Sequence, residues 1–146
     1  MRKPYAEVAS RPLTTLSGGE QKRLALDVLL RGEADVLLLD EPDNFLDVRG
    51  KNWLAEQINA TSKTVLFVTH DLSAARVVAD RIAVMYLGRI VEFGPAQEMC
   101  AAPVHPYTRS LLASVPGPGS MHVPLPGDPA SPVDPPPACS FHPRRP

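Results

Sequence analysis

Asp35-Val36-Leu37-Leu38-Leu39-Asp40-Glu41-Pro42 is a continuous apolar run bounded by acids and closed by a proline. The run is too short for a helix of ordinary length, and Pro42 removes a backbone donor where a helix would have to continue. It therefore reads as a strand, and its unbroken leucines are those of a parallel strand buried on both faces. In α/β folds, ligands gather at the carboxyl ends of such strands. Two carboxylates stand at that end here. One suits a hydrated divalent cation, and the next can polarise an attacking water, the pairing that hydrolysis of a magnesium–nucleotide needs. A plain turn accounts for an Asp and a Pro. It does not account for paired acids behind three leucines.

Upstream lies Leu16-Ser17-Gly18-Gly19-Glu20-Gln21, followed by a helical run from Gln21 to Arg31 with Leu24, Val28 and Leu29 along one face. Ser17 and Glu20 have capping-box spacing, and Gly32 marks a stop. Two glycines at a capped helix start also let backbone N–H groups approach an anion, aided by the helix dipole and the Ser17 hydroxyl. Taken alone, the hexapeptide supports the cap and the anion site equally.

Downstream, Asp47 is placed to cap a helix carrying Trp53, Leu54 and Ile58, and Lys63–Thr69 is a second β-branched strand ending before His70-Asp71. A lone histidine is more often structural, but His70 stands at the end of a predicted parallel strand. Ala74–Val78 reads as helix. Ile82–Leu87 and Ile90–Phe93 flank Gly88-Arg89 as a hairpin. Pro95 opens a helix through Met99, and Pro106 another through Leu112. The alternation predicts an α/β fold with a largely parallel sheet and no internal repeat.

The 146 residues are 44% hydrophobic and 21% charged, with net charge −1, enough for one domain of modest core and no electrostatic case for nucleic acid. No apolar run approaches the roughly 20 residues of a membrane span, and the N-terminus lacks a signal-peptide core. Only Pro4, Pro12, Pro42 and Pro95 of the 17 prolines precede residue 101. Residues 1–100 and 101–146 therefore read as different regions, the second weakly ordered after 116. Cys100 and Cys139 have no metal-like spacing, which suits a reduced cytosol.

In order and spacing, LSGGEQ, DVLLLDEP, the following FLD and VTHD resemble the signature, Walker B, D-loop and H-loop of ABC-type ATPases, a P-loop NTPase (RecA-like) fold. The resemblance implies ATP and Mg2+ as cofactors. It assigns Ser17, Gly18 and Gly19, with Glu20 and Gln21 beside them, to ATP held mainly by a second ABC ATPase domain. It makes Asp40 the magnesium carboxylate, Glu41 the catalytic carboxylate, Asp47 the acid at the dimer seam and His70 a γ-phosphate switch. No G-x-x-x-x-G-K-[ST] occurs in the chain. The adenine-stacking aromatic and the Q-loop glutamine of the family would lie upstream of Met1. A partial core with unpaired sheet edges, poor autonomous stability and no ATP turnover by the chain alone are the expectations.

Residues 16–48 are most similar to ABC-F ATPases, soluble proteins that act on ribosomes, and Asp43 stands where importers more usually have threonine. Residues 69–143 resemble ATP-binding subunits of oligopeptide and dipeptide transporters, whose C-terminal extension is echoed by His105-Pro106-Tyr107-Thr108-Arg109-Ser110-Leu111-Leu112 and by Cys139-Ser140-Phe141-His142-Pro143. In that family such extensions can ligate an iron–sulfur cluster. Cys139 matches its first ligand, Arg145 occupies the next, and one thiolate does not hold a cluster, so none is expected. The resemblance implies a peptide importer's ATPase at the inner membrane face, partnered by transmembrane permease subunits. The alternatives are an ABC-F-like factor or a remnant that donates only its signature motif in trans.

Overall fold

The computed structural model describes residues 11–115, 127, 128 and 130–144. They belong to two compact units, Met1–His70 and Asp71–Pro146.

In the first unit, helix α1 (Gly18–Arg31) leads to strand β1 (Val36–Asp40), helix α2 (Val48–Ala60) and strand β2 (Thr64–Val68). The crossover through α2 makes β1 and β2 parallel neighbours, in register from Val36↔Thr64 to Asp40↔Val68. Strand alternation turns Leu37 and Leu39 to one face, where they bury against Leu26 of α1 and Leu54 of α2. Leu30, Trp53, Ile58, Val65 and Phe67 pack around that nucleus. The Arg23 guanidinium lies 4.5 Å over the Trp53 ring, covering its edge of the core. Lys63 Nζ donates to the carbonyls of Gly32 (2.7 Å) and Ala34, joining the end of α1 to the start of β2.

The strand predicted to be buried on both faces is buried on one. Val36 and Leu38 are exposed on the other face, as are Leu66 and Val68 beside them, because the described helices of this unit cover only the Leu37/Leu39 side. Nor do the strands form one largely parallel sheet. The described strands make two separate pairs, β1–β2 parallel and β3–β4 antiparallel.

The second unit opens with helix α3 (Leu72–Val78), capped by Asp71 Oδ1, which accepts from the N–H groups of Ser73 and Ala74. Strands β3 (Arg81–Tyr86) and β4 (Arg89–Pro95) follow as a hairpin. Its turn is Leu87-Gly88, one residue earlier than the Gly88-Arg89 pair expected, since Arg89 already pairs with Tyr86. Both turn residues have positive φ, 48° and 74°, the geometry whose twist matches the strands of a two-residue hairpin. Helices α4 (Ala96–Ala101) and α5 (Pro106–Ala113) complete the unit. Ile82 and Val84 form its core with Ala96 and Met99.

Two side chains tie this unit together. Glu92 on β4 accepts from the N–H groups of Val104 (2.8 Å) and His105 (3.0 Å), anchoring the entry to α5. His105 Nδ1 in turn accepts from the Tyr107 N–H at 3.2 Å and caps the helix whose first residue is Pro106. Burial pushes the Glu92 carboxyl up, yet the Thr108 hydroxyl, the two backbone donors and the His105 imidazole together hold it below its ordinary value. Thr108 Oγ1 has no well-aligned hydrogen bond, so the backbone donors are the firmer part of that balance.

The second tie is Phe141. Part of the stretch expected to be weakly ordered, 116–126, lies outside the described residues. Within 130–144, however, Phe141 is fully buried. Its ring stands edge-on to Tyr86 at 5.3 Å and lies 5.4 Å from Tyr107 and 5.8 Å from His105. The described residues 130–140 leading to it form neither helix nor strand. The Phe141 ring docks this segment, and Cys139 Sγ lies 3.9 Å from His105 Nε2 beside it.

Phe141→Ala is expected to cost about 3 kcal/mol, read by urea denaturation, because a fully buried ring is lost without refilling. The lowered Glu92 pKa also fixes a pH dependence. A carboxyl depressed in the folded state adds stability that is present in full above its unfolded value, near 4.5, and disappears as pH falls through the folded value. Glu92→Gln should lower the melting temperature at about pH 7 and remove this part of the acid-side decline toward about pH 3, measured by calorimetry.

Candidate functional site

The site is built where β1 and β2 end. Asp40 closes β1 and is exposed, and the chain then turns sharply. Glu41 has φ 46°, a left-handed conformation unusual for a residue with a side chain. Its N–H still donates to Val68 O at 2.9 Å, extending the parallel ladder by one rung. Pro42 behind it is fully buried. The ladder brings the two strand ends level, so that Glu41 Oε1 lies 3.5 Å from Nε2 of His70, whose ring is otherwise 98% exposed. Two residues 29 positions apart in sequence thereby become one carboxylate–imidazole pair at the mouth of a parallel sheet.

Beneath them lies a buried carboxylate that sequence reasoning registered only as a departure from importer usage. Asp43 is 4% exposed. Its Oδ1 accepts from the Thr69 hydroxyl at 3.0 Å, and its Oδ2 lies 3.5 Å from Lys51 Nζ on α2. The three residues come from three separate elements, so no local spacing announces them.

At the start of α1 the capping box forms as expected. The Ser17 N–H and Oγ each donate to Glu20 Oε2 at 2.9 Å, and the Glu20 N–H donates to Ser17 Oγ at 3.3 Å. The Gln21 amide donates to the carbonyls of Leu13 and Leu16 at 3.1 and 3.0 Å, pulling the preceding turn onto the helix. Glu20 and Gln21 thus have structural work of their own. The two glycines differ. A Cβ on Gly18 would meet nothing within 4 Å, whereas one on Gly19 would stand 2.9 Å from the Phe45 carbonyl oxygen. Gly19 is there so that the helix can approach the loop after β1, and Gly18 leaves the backbone open to solvent.

Asp47 caps α2, its Oδ1 accepting from the Gly50 N–H at 2.7 Å, and remains exposed. Beside it Phe45 is 84% exposed with φ 66°. Among the described residues no group of three His, Cys, Asp or Glu side chains is arranged to hold a metal by itself. The donors at the end of β1 do suit magnesium, which takes one or two carboxylates and completes its shell with water and phosphate oxygens. Asp40 is the exposed carboxylate at that end. The cradle of backbone N–H groups and lysine that holds ATP phosphates has no counterpart motif in these 146 residues. No described helix is long and apolar enough to cross a membrane.

The glycine contrast gives a direct expectation. Gly19→Ala should cost about 1–3 kcal/mol by forcing helix and loop apart. Gly18→Ala should stay within about 0.5 kcal/mol of wild type. Urea denaturation of the two variants checks both.

Comparison with known proteins shows what the chain is similar to. Residues 2–44 match the family described as "ABC transporter", and residues 91–146 match "Oligopeptide/dipeptide transporter, C-terminal region". Among curated proteins, the "Probable peptide ABC transporter ATP-binding protein" of Sinorhizobium fredii is 40% identical, over 96% of this chain and 42% of its own length. The "Dipeptide transport ATP-binding protein DppD" of Caldanaerobacter subterraneus is 39% identical over 97% of this chain and 45% of its own. Its namesake in Bacillus subtilis is 39% identical over 86% and 39%. The chain spans less than half the length of these relatives. By these matches the chain is similar to ATP-binding proteins of peptide ABC transporters, with an ABC transporter region at residues 2–44 and an oligopeptide/dipeptide transporter C-terminal region at residues 91–146.

Proposed function

We propose that this chain supplies the hydrolytic carboxylate, the switch histidine and the signature motif of the ATPase that powers a peptide importer. The observation that carries the reading is the Glu41–His70 pair, 3.5 Å apart at the ends of two parallel strands. ATP would be sandwiched between the phosphate loop of one domain and Ser17, Gly18 and Gly19 of another, with the open Gly18 backbone facing the nucleotide. Asp40 would hold the magnesium ion, which supplies charge neutralisation at the phosphates. Glu41 would accept a hydrogen bond from the attacking water and orient it for in-line displacement. His70, beside Glu41 and open to solvent, would donate a hydrogen bond to the γ-phosphate. Asp47 and the exposed Phe45 would face the second ATPase domain across the seam.

The peptide-transport names of the relatives and the match over residues 91–146 favour an importer over the ABC-F alternative. Permease subunits in the membrane are then the partners, and the chain works at the membrane's inner face.

The reading is tested on the complex isolated from the native membrane. The chain should co-purify with integral-membrane permeases, and Glu41→Gln should lower ATP turnover by about 100-fold or more while ATP is still bound. Co-purification with ribosomes, or a Glu41→Gln complex as active as wild type, overturns it.

A further inference from the structure

We infer that Asp43 is a positioning residue, the buried carboxylate that sets Glu41 against His70. The inference rests on the functional reading above only in giving that pair its chemical task. The geometry stands by itself.

Glu41 sits in a left-handed conformation that an L side chain adopts only when its surroundings impose it. Besides the turn bond from the Asn44 N–H to Glu41 O at 3.2 Å, those surroundings include two links to the end of β2. The first is the Glu41 N–H to Val68 O. The second is carried by Asp43, whose Oδ1 accepts from the hydroxyl of Thr69, the residue just after β2 and the one before His70. Between the two links lies the fully buried Pro42. One carboxylate thus holds both ends of the pair, from the residue two after Glu41 to the residue one before His70.

A buried carboxylate tolerates this position only if its charge is met. Lys51, in the first turn of α2, meets it at 3.5 Å on the oxygen that Thr69 does not use. Because Lys51 lies on α2, the Asp43 carboxylate also links that helix to the two strand ends. His70 is 98% exposed, and its 3.5 Å approach to Glu41 depends on the backbone that Thr69 anchors. An apolar residue at position 43 would fill the space, but it would leave the Thr69 hydroxyl unlinked to the loop that carries Glu41.

The test reads His70 directly, in the full 146-residue chain without nucleotide. Histidine ring signals are recorded by NMR at fixed pH, with His105 and His142, which lie in the other unit, as internal references. Glu41→Gln should displace the His70 ring signals and leave the references in place. In an Asp43→Ala background that displacement should fall to less than half, because the pair is no longer held together. Asp43→Asn should restore it, since its amide oxygen still accepts from Thr69. A role confined to stability would not move this coupling in a chain that remains folded. If Asp43→Ala fails to fold, Thr69→Val deletes the same contact from the other side and should likewise reduce the displacement to less than half. A displacement as large in Asp43→Ala or Thr69→Val as in wild type overturns the inference, as does a wild-type His70 indifferent to Glu41→Gln. A complex that hydrolyses ATP without Glu41 overturns the catalytic reading and leaves this coupling unaffected.

Discussion

The burial of Leu37 and Leu39 against Leu26 and Leu54 holds the first unit together, and the candidate site depends on it. Those two leucines choose which face of β1 is inside, and a strand's period of two then determines the rest. With β1 so oriented and β2 in parallel register beside it, Asp40 aligns with Val68, and the chain beyond each strand emerges at the same end. Glu41 and His70 meet because of that register. A slip of one residue would send the leucines to solvent and separate the carboxylate from the imidazole.

The polar layer at the strand ends converts coarse alignment into a defined pair. Backbone hydrogen bonds alone bring Glu41 to within one rung of Val68, but they say nothing about the direction of its side chain. The left-handed turn at Glu41, the buried Pro42 and the Asp43–Thr69–Lys51 contacts supply that direction. Burying a carboxylate is unfavourable unless both oxygens are satisfied, and here one hydroxyl and one ammonium satisfy them. The same logic operates in the second unit, where Glu92 draws its stabilisation from two backbone donors at the entry to α5. In each unit a single carboxylate joins segments that hydrophobic packing leaves only loosely specified.

The second unit also shows how a proline-rich segment acquires a fixed place. Its prolines offer no ladder and no helix, so order must come from side chains. Phe141 provides it by entering a group of three rings from β3 and the start of α5. The apolar face of β1 and β2 that carries Val36, Leu38, Leu66 and Val68 remains uncovered within the described residues. The three leucines in a row, and not the present packing, are what led to the expectation of a strand buried on both sides.

Much of this was legible in the sequence because the signals are local. Ser17 and Glu20 form their capping box, Asp47 caps its helix, and Pro106 opens α5, since each depends on neighbours three or four residues away. The motif order around Asp40, Glu41 and His70 carried the family resemblance for the same reason. Other features escaped because their causes are distant or collective. The hairpin turn falls at Leu87-Gly88 because cross-strand pairing, and not the glycine alone, selects the register. The sheet is divided into two pairs, although both strand types carry similar apolar runs. Asp43 could be read only as an unusual letter, because its partners stand 8 and 26 positions away on other elements. Sequence by itself determined the elements, their caps and the chemical groups at the strand ends, all of which short-range sterics and hydrogen bonding dictate. Tertiary structure alone decided which carboxylate faces the histidine and which lies buried beneath it, since that choice is made by packing between segments that do not adjoin in the chain.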